Sequence, residues 1–175
     1  MNMDILMNKK LLVAIDVYYY KQSAKVVGAL FSWEDEKPKK ILTTVYEGVE
    51  EYQSGNFYKR ELPCILKLLA SLDLNTLEAI IIDGHCYISN QKEFGLGGYL
   101  WKELKEKVPV IGVAKNRFHN TEEVSFPVYR GESKKPLYVS SIGYDVEQAK
   151  TNILMMTGKY RIPDILKIVD QQTRV

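Results

Sequence analysis

Three carboxylates stand where acids are costly or conspicuous. Asp16 interrupts LLVAIDVYYY, a run otherwise apolar and aromatic enough to be a buried strand. An ionised carboxylate there is unfavourable unless it is paired, hydrogen-bonded or bound to a cation. Asp83 ends the run AIIID just before Gly84, at a strand terminus of the kind beside which α/β sheets bind ligands. Glu61 lies next to Pro63 at the expected start of an amphipathic helix. Three carboxylates sharing one crevice repel each other and raise at least one pKa unless a divalent cation neutralises them. Oxygen-only ligands favour Mg²⁺, with Mn²⁺ as a substitute, and neither His85 nor His119 has a second histidine nearby for zinc. Such a cluster activates a water and stabilises charge on a phosphate during in-line displacement. Each acid alone has a plainer reading: Asp83 as a turn-former or cap, Glu61 as a first-turn helix acid, Asp16 as a partner of Lys115 or Arg60.

The elements that must position these acids read as a mixed sheet with helices. Leu11 to Tyr20 and Ser23 to Ser32 form an antiparallel hairpin about Lys21-Gln22, and Ile41 to Tyr46 makes a third strand. Pro63 suits the first turn of a helix whose apolar stripe is Ile65, Leu66, Leu68, Leu69 and Leu72. Ala79 to Ile82 and Val110 to Val113 are short apolar runs of strands covered on both faces. A helix from about Gly98 to Lys107 separates them. Phe126 to Arg130 and Leu137 to Ser141 form a hairpin, followed by a helix from about Asp145 to Thr157 and a tail containing Pro163. Three strands, then alternating helix and strand, is the order of a ribonuclease H-like α/β domain. With no repeat, low-complexity tract or linker, residues 1–175 read as one domain.

Composition narrows the setting without deciding the function. A formal charge of +2 permits nucleic-acid binding through a local basic patch but does not demand it. No apolar stretch approaches the roughly 20 residues of a membrane span. The amino terminus lacks a signal-peptide pattern, and the two cysteines, Cys64 and Cys86, lack CxxC spacing. Free thiols in a reducing cytoplasm are the simplest reading.

The local contexts are more specific than the acids. Ile15-Asp16-Val17-x-Tyr19 resembles the first strand motif of the endonuclease V family, and Tyr52-x-x-Gly55-x-Phe57-x-x-Arg60-Glu61-x-Pro63 resembles its second. Ile82-Asp83-Gly84 resembles the third, and Ile111-Gly112-Val113-Ala114-Lys115 the fourth. Lys135-Pro136-Leu137-Tyr138-Val139-Ser140 followed by Gly143, and then Tyr160-Arg161-Ile162-Pro163, are similar to the fifth and sixth. By that resemblance Asp16, Glu61 and Asp83 are metal-binding and, with Lys115, catalytic. Lys115 would stand close to the scissile phosphate, although outside this context it reads as a surface lysine. Tyr52 and Gly55 would belong to a strand-separating wedge, and Tyr19 and Gly84 would line the substrate site, Tyr19 having the alternative of a half-buried sheet aromatic. The resemblance implies Mg²⁺-dependent hydrolysis of phosphodiesters in DNA or RNA beside deaminated bases such as hypoxanthine (inosine), in nucleic-acid repair.

Several positions depart from the family pattern. Its His-Pro-Arg stretch is replaced by His85-Cys86-Tyr87-Ile88, and Cys86 in place of a glycine would narrow a pocket for a flipped base. The wedge Pro-Tyr-x-Pro-Gly becomes Glu51-Tyr52-Gln53-Ser54-Gly55, without its stiffening prolines. The family's Gly-His is Gly143-Tyr144, a poor ligand set that Asp145 would restore, unless Asp145 is simply the next helix's N-cap. These departures motivate an alternative: a divergent, non-cleaving member that binds nucleic acid or protein.

Overall fold

Along strand β1, Leu11–Tyr20, side chains alternate between two buried faces: Val13 and Ile15 pack on one, Leu12 and Ala14 on the other. In the computed structural model, which describes residues 9–49, 51 and 57–175, this strand lies near the middle of a seven-stranded mixed sheet. On one side β2 (Ser23–Phe31) and β3 (Lys40–Glu47) continue it antiparallel. On the other, β4 (Leu77–Asp83) and β5 (Val110–Ala114) run parallel to it. β6 (Phe126–Val128) and β7 (Leu137–Ile142) complete the sheet in the order β3-β2-β1-β4-β5-β7-β6. Helices α1 (Phe57–Leu69) and α2 (Leu96–Glu103) cover one face, burying Cys64, Ile65, Leu68 and Leu100. Helices α3 (Val146–Met155) and α4 (Asp164–Thr173) cover the other with Ala149, Ile153, Ile165 and Val169. This is the ribonuclease H-like arrangement expected from the order of elements. Among the described residues no helix is long and apolar enough to cross a membrane.

Three helices depart from expectation. α1 begins at Phe57, so Pro63 lies inside it and Glu61 in its second turn, with no acid in the first. The proline forfeits one backbone hydrogen bond, which burial of Ile65 and Leu68 against the sheet offsets. α2 stops before Lys107 because Lys105 and Glu106 adopt left-handed φ values of 56° and 62°. The supposed tail is helix α4. Ile165, Val169 and Thr173, spaced by four, form its buried stripe, and Pro163 stands immediately before it.

Close packing between β4, β5 and β7 fixes the strand ends that matter below. Gly112 pairs with Ile82 on one side and Ser140 on the other. A Cβ there would lie 2.5 Å from the Gly84 carbonyl oxygen and 2.8 Å from Ser140 Oγ. Gly112→Ala is therefore expected to cost about 1–3 kcal/mol through overpacking, read as a lower urea midpoint at unchanged slope. An unaltered midpoint would show that the strands part more freely than this spacing implies.

Candidate catalytic cleft

The parallel register of β1 and β4 pairs Ile15 with Ile82, and each strand then places an aspartate at the next position. Leu12 and Ala14 on β1, and Ala79 and Ile81 on β4, face the α4 layer. Continuing that alternation turns Asp16 and Asp83 to the same side. Lys115 follows β5, whose Ile111 and Val113 share this face. The three groups line one cleft of about 310 Å³ beneath α4, floored by apolar side chains such as Ile81 and Val113.

A fourth carboxylate, Asp170, lines the same cleft from α4. Its carboxyl is within hydrogen-bonding reach of Asp16. One turn further along, Arg174 Nη2 lies 3.4 Å from Asp170 Oδ1. Asp170 lies in the segment expected to be a tail, which is helix α4. The signal that exposes it is the four-residue repeat of Ile165, Val169 and Thr173, which makes the segment a helix and sets Asp170 beside the buried stripe.

Glu61 approaches from the opposite layer. Its side chain is buried in α1, and Tyr19, on the face of β1 opposite Asp16, donates its hydroxyl to Glu61 Oε2 at 3.1 Å. The Arg60 guanidinium stacks 3.6 Å from the centre of the Tyr19 ring. Tyr19 thus holds Glu61 through its hydroxyl.

Three of these acids, Asp16, Glu61 and Asp83, hold their protons more tightly than free carboxylates do. Burial, then Asp83 and a hydrogen bond with Asp170, raise the Asp16 pKa from 3.8 to about 7, against the bond its Oδ1 accepts from the Val17 amide. Burial raises Glu61 from 4.5 to about 8; the Tyr19 hydroxyl works against this, and Asp83 and Asp16 add to it. Asp83 opens to solvent at the residue level, yet its carboxylate sits in crowded surroundings that raise its pKa while Lys115 pulls it down. Among the described residues, no three His, Cys, Asp or Glu side chains stand close enough together to hold a metal ion. The donor set, all oxygen, is nonetheless the chemistry that suits a hard divalent cation.

Two further contacts hold the loops bearing these groups. His85 Nε2 pairs with the Asn116 carbonyl at 2.8 Å, joining the loop after Asp83 to the loop after Lys115. Arg161 Nη2 donates to the Lys115 and Pro136 carbonyls, each at 2.6 Å. Gly84, leaving β4 with φ 154°, donates its amide to Val113 at 3.1 Å.

Other sequence expectations change place. Tyr144 lies at the far end of the sheet, where its hydroxyl donates to Glu78 Oε2 at 3.1 Å near the start of β4. Asp145 accepts from the Gln148 amide and caps α3. Neither reaches the acids, because four residues of strand lie between Glu78 and Asp83. Cys86 does not narrow the cleft: its side chain is fully buried in the core beneath α2, and Sγ lies 3.5 Å from the Val110 carbonyl. Tyr52 and Gly55 lie outside the described residues.

The family model described as Endonuclease V matches residues 2–171. The endonuclease V of Nostoc punctiforme is 31% identical over 140 residues, covering 69% of this chain and 61% of that protein. The endonuclease V of Streptomyces avermitilis is 29% identical over 152 residues, covering 75% and 64%. The chain therefore spans less than two thirds of the length of these relatives. In three dimensions it resembles the crystal structure of the Streptomyces avermitilis protein, with TM-score 0.75, 23% identity and coverage of 95% and 81%. It also resembles Ciona intestinalis endonuclease V in complex with a 24mer DNA containing an inosine followed by a ribo-adenosine, with TM-score 0.76, 21% identity and coverage of 97% and 86%.

The raised acids make stability depend on pH in a definite sense. Asp16 and Glu61 keep protons in the folded chain that the unfolded chain releases near pH 4. Their contribution is complete below that pH and is lost as pH rises through about 7 for Asp16 and about 8 for Glu61. In EDTA, Tm should fall between mildly acidic and mildly alkaline buffer, and Asp16→Asn should flatten the fall. A Tm that climbs across this window would contradict the clustering.

Proposed function

Because the chain belongs to the endonuclease V family, we propose that it is a Mg²⁺-dependent endonuclease that hydrolyses phosphodiester bonds in DNA or RNA beside deaminated bases such as inosine, in nucleic-acid repair. The observation that carries this reading is the convergence of Asp16, Asp83 and Asp170 in one cleft with Lys115, while Glu61 couples to Asp16 and Asp83 from the opposite layer. The inosine-containing DNA bound by the Ciona intestinalis protein supports the choice of substrate. Both cysteines are free and buried, as suits a protein of a reducing cytoplasm.

Asp16, Glu61, Asp83 and Asp170 would hold the divalent ion, Mg²⁺ or Mn²⁺ in its place. Bound there, it would supply a water of lowered pKa and neutralise charge developing on the phosphate. Tyr19 occupies one oxygen of Glu61 and so restricts the carboxylate's rotation. The Lys115 ammonium, tied to the site by the clamp on its carbonyl, would stabilise charge on a non-bridging phosphate oxygen. His85 keeps the Lys115 loop in register with the strand end that bears Asp83. The apolar floor keeps bulk water from one side of the cleft and strengthens each of these interactions.

The test is incubation of the chain with inosine-containing and plain single strands in Mg²⁺ or Mn²⁺. Cleavage near inosine is expected, falling by at least about 100-fold in Asp83→Ala and by about 10²–10³-fold in Lys115→Ala. Asp170→Asn should lower it comparably, which no reading of that segment as a tail anticipates. If the unaltered chain cuts neither strand with either ion, the proposal is wrong.

A further inference from the structure

We infer that the single strand leaves the acid cleft over Tyr160 and enters a second, adjoining groove, the Tyr160 ring stacking on a base, Lys167 taking a phosphate on the cleft side and Lys159 one on the groove side. This rests on the nuclease reading, since it names the path of that substrate beyond the reacting phosphate.

The two concavities share a wall. Tyr160 and Arg161 line both the catalytic cleft and an open groove of about 630 Å³, to which Glu132, Ser133 and Lys159 also contribute. Tyr160 is 69% exposed, a large aromatic surface without burial to explain it. Lys167 lies 5.9 Å from the centre of its ring, on the cleft side, and Lys159 lines the groove side. Neither lysine joins an ion pair among the described residues. An exposed ring between free ammonium groups, beside a phosphodiester-handling site, is the pattern of a stacking platform for single-stranded nucleic acid.

The platform is built rather than incidental. Arg130 is only 2% exposed and spends its guanidinium on the backbone of the loop that presents Tyr160. Its Nη1 donates to the Tyr160 carbonyl at 2.6 Å, and its Nη2 to the Met156 and Gly158 carbonyls. Gly131, with φ 59°, brings the facing loop so near that a Cβ would lie 2.1 Å from the Lys159 carbonyl oxygen. Two loops locked backbone to backbone hold the ring in place before any ligand arrives, which lowers the ordering cost of binding. Glu132 is the one opposing charge at the rim.

The experiment measures affinity without cutting: fluorescence anisotropy of a labelled single-stranded DNA carrying one inosine, in EDTA, across a range of salt. Tyr160→Ala should weaken binding on the order of 10-fold and Tyr160→Phe should restore it, as loss and retention of one base stack require. Lys159→Ala and Lys167→Ala should each lower the slope of log affinity against log salt by about 0.7. Glu132→Gln should tighten binding, and Lys102→Ala on the α2 surface, equal in charge lost, should leave affinity unchanged. If the chain cuts inosine-containing strands while Tyr160→Ala and Lys159→Ala match the unaltered chain in affinity and slope, the groove is refuted and the nuclease stands. If the strand binds through Tyr160 and nothing is cut in Mg²⁺ or Mn²⁺, the nuclease reading fails and the groove stands. A chain that binds no strand refutes both.

Discussion

Parallel pairing of β1 with β4 forces two like charges together. Once Ile15 lies beside Ile82, the next residue on each strand faces the same layer, and both are aspartates. Neighbouring strands run about 4.8 Å apart, so neither carboxylate can escape the other without breaking the ladder. Seven strands hold that register through continuous apolar cores on both faces. Asp170 adds a third acid from α4, and burial first, then these neighbouring acids, raise the pKa of Asp16. The fold thus holds a local electrostatic conflict that a cation or a proton relieves, and burial of apolar surface elsewhere offsets its cost.

The surrounding residues divide this conflict between layers. Tyr19 and Asp16 are three apart on one strand and therefore point to opposite faces, Tyr19 to Glu61 and Asp16 to Asp83 and Asp170. The strand passes between the acids and links them. On the cleft side, backbone clamps position charge: Arg161 grips the Lys115 carbonyl, and Arg130 grips the backbone that carries Arg161. Each arginine acts through carbonyl groups, which leaves the lysines as the mobile cations facing the solvent. Rigid guanidinium forks suit carbonyl pairs, and flexible ammonium groups suit phosphates that shift during a reaction.

Much of this was legible in the sequence, for reasons that differ by element. β4 and β5 announce themselves as short, unbroken apolar runs, because a strand covered on both faces tolerates little else. Asp16 and Asp83 stood out because a charge at a buried position needs a reason. Asp170 did not stand out, since it lies in a polar segment where an aspartate is unremarkable until the helix is seen. The helix itself was masked by Pro163, which reads as a break but stands at a start. Pro63 likewise points to a first turn that would hold Glu61, whereas the proline sits inside the helix. Cross-strand register, which brings the acids together, has no local signature at all; it emerges only from pairing of distant segments.

The departures from the family pattern acquire a common physical meaning in this light. Gly143-Tyr144 lies at the opposite end of the sheet from Asp83, so its difference from Gly-His leaves the acids untouched. Cys86 is a core residue, and the helix packed on it has adapted: a Cβ on Gly97 would fall 2.7 Å from Cys86 Sγ, and one on Gly98 2.8 Å from the Cys86 carbonyl oxygen. Paired glycines at the start of α2 let that helix settle onto the thiol-bearing loop. His85 precedes this packed residue and bridges to Asn116. The altered segment therefore connects the Lys115 loop to the core, and its chemistry is that of support. That bracing meets the cleft where Asp16, Asp83, Asp170 and Lys115 lie together, with Glu61 on the opposite layer.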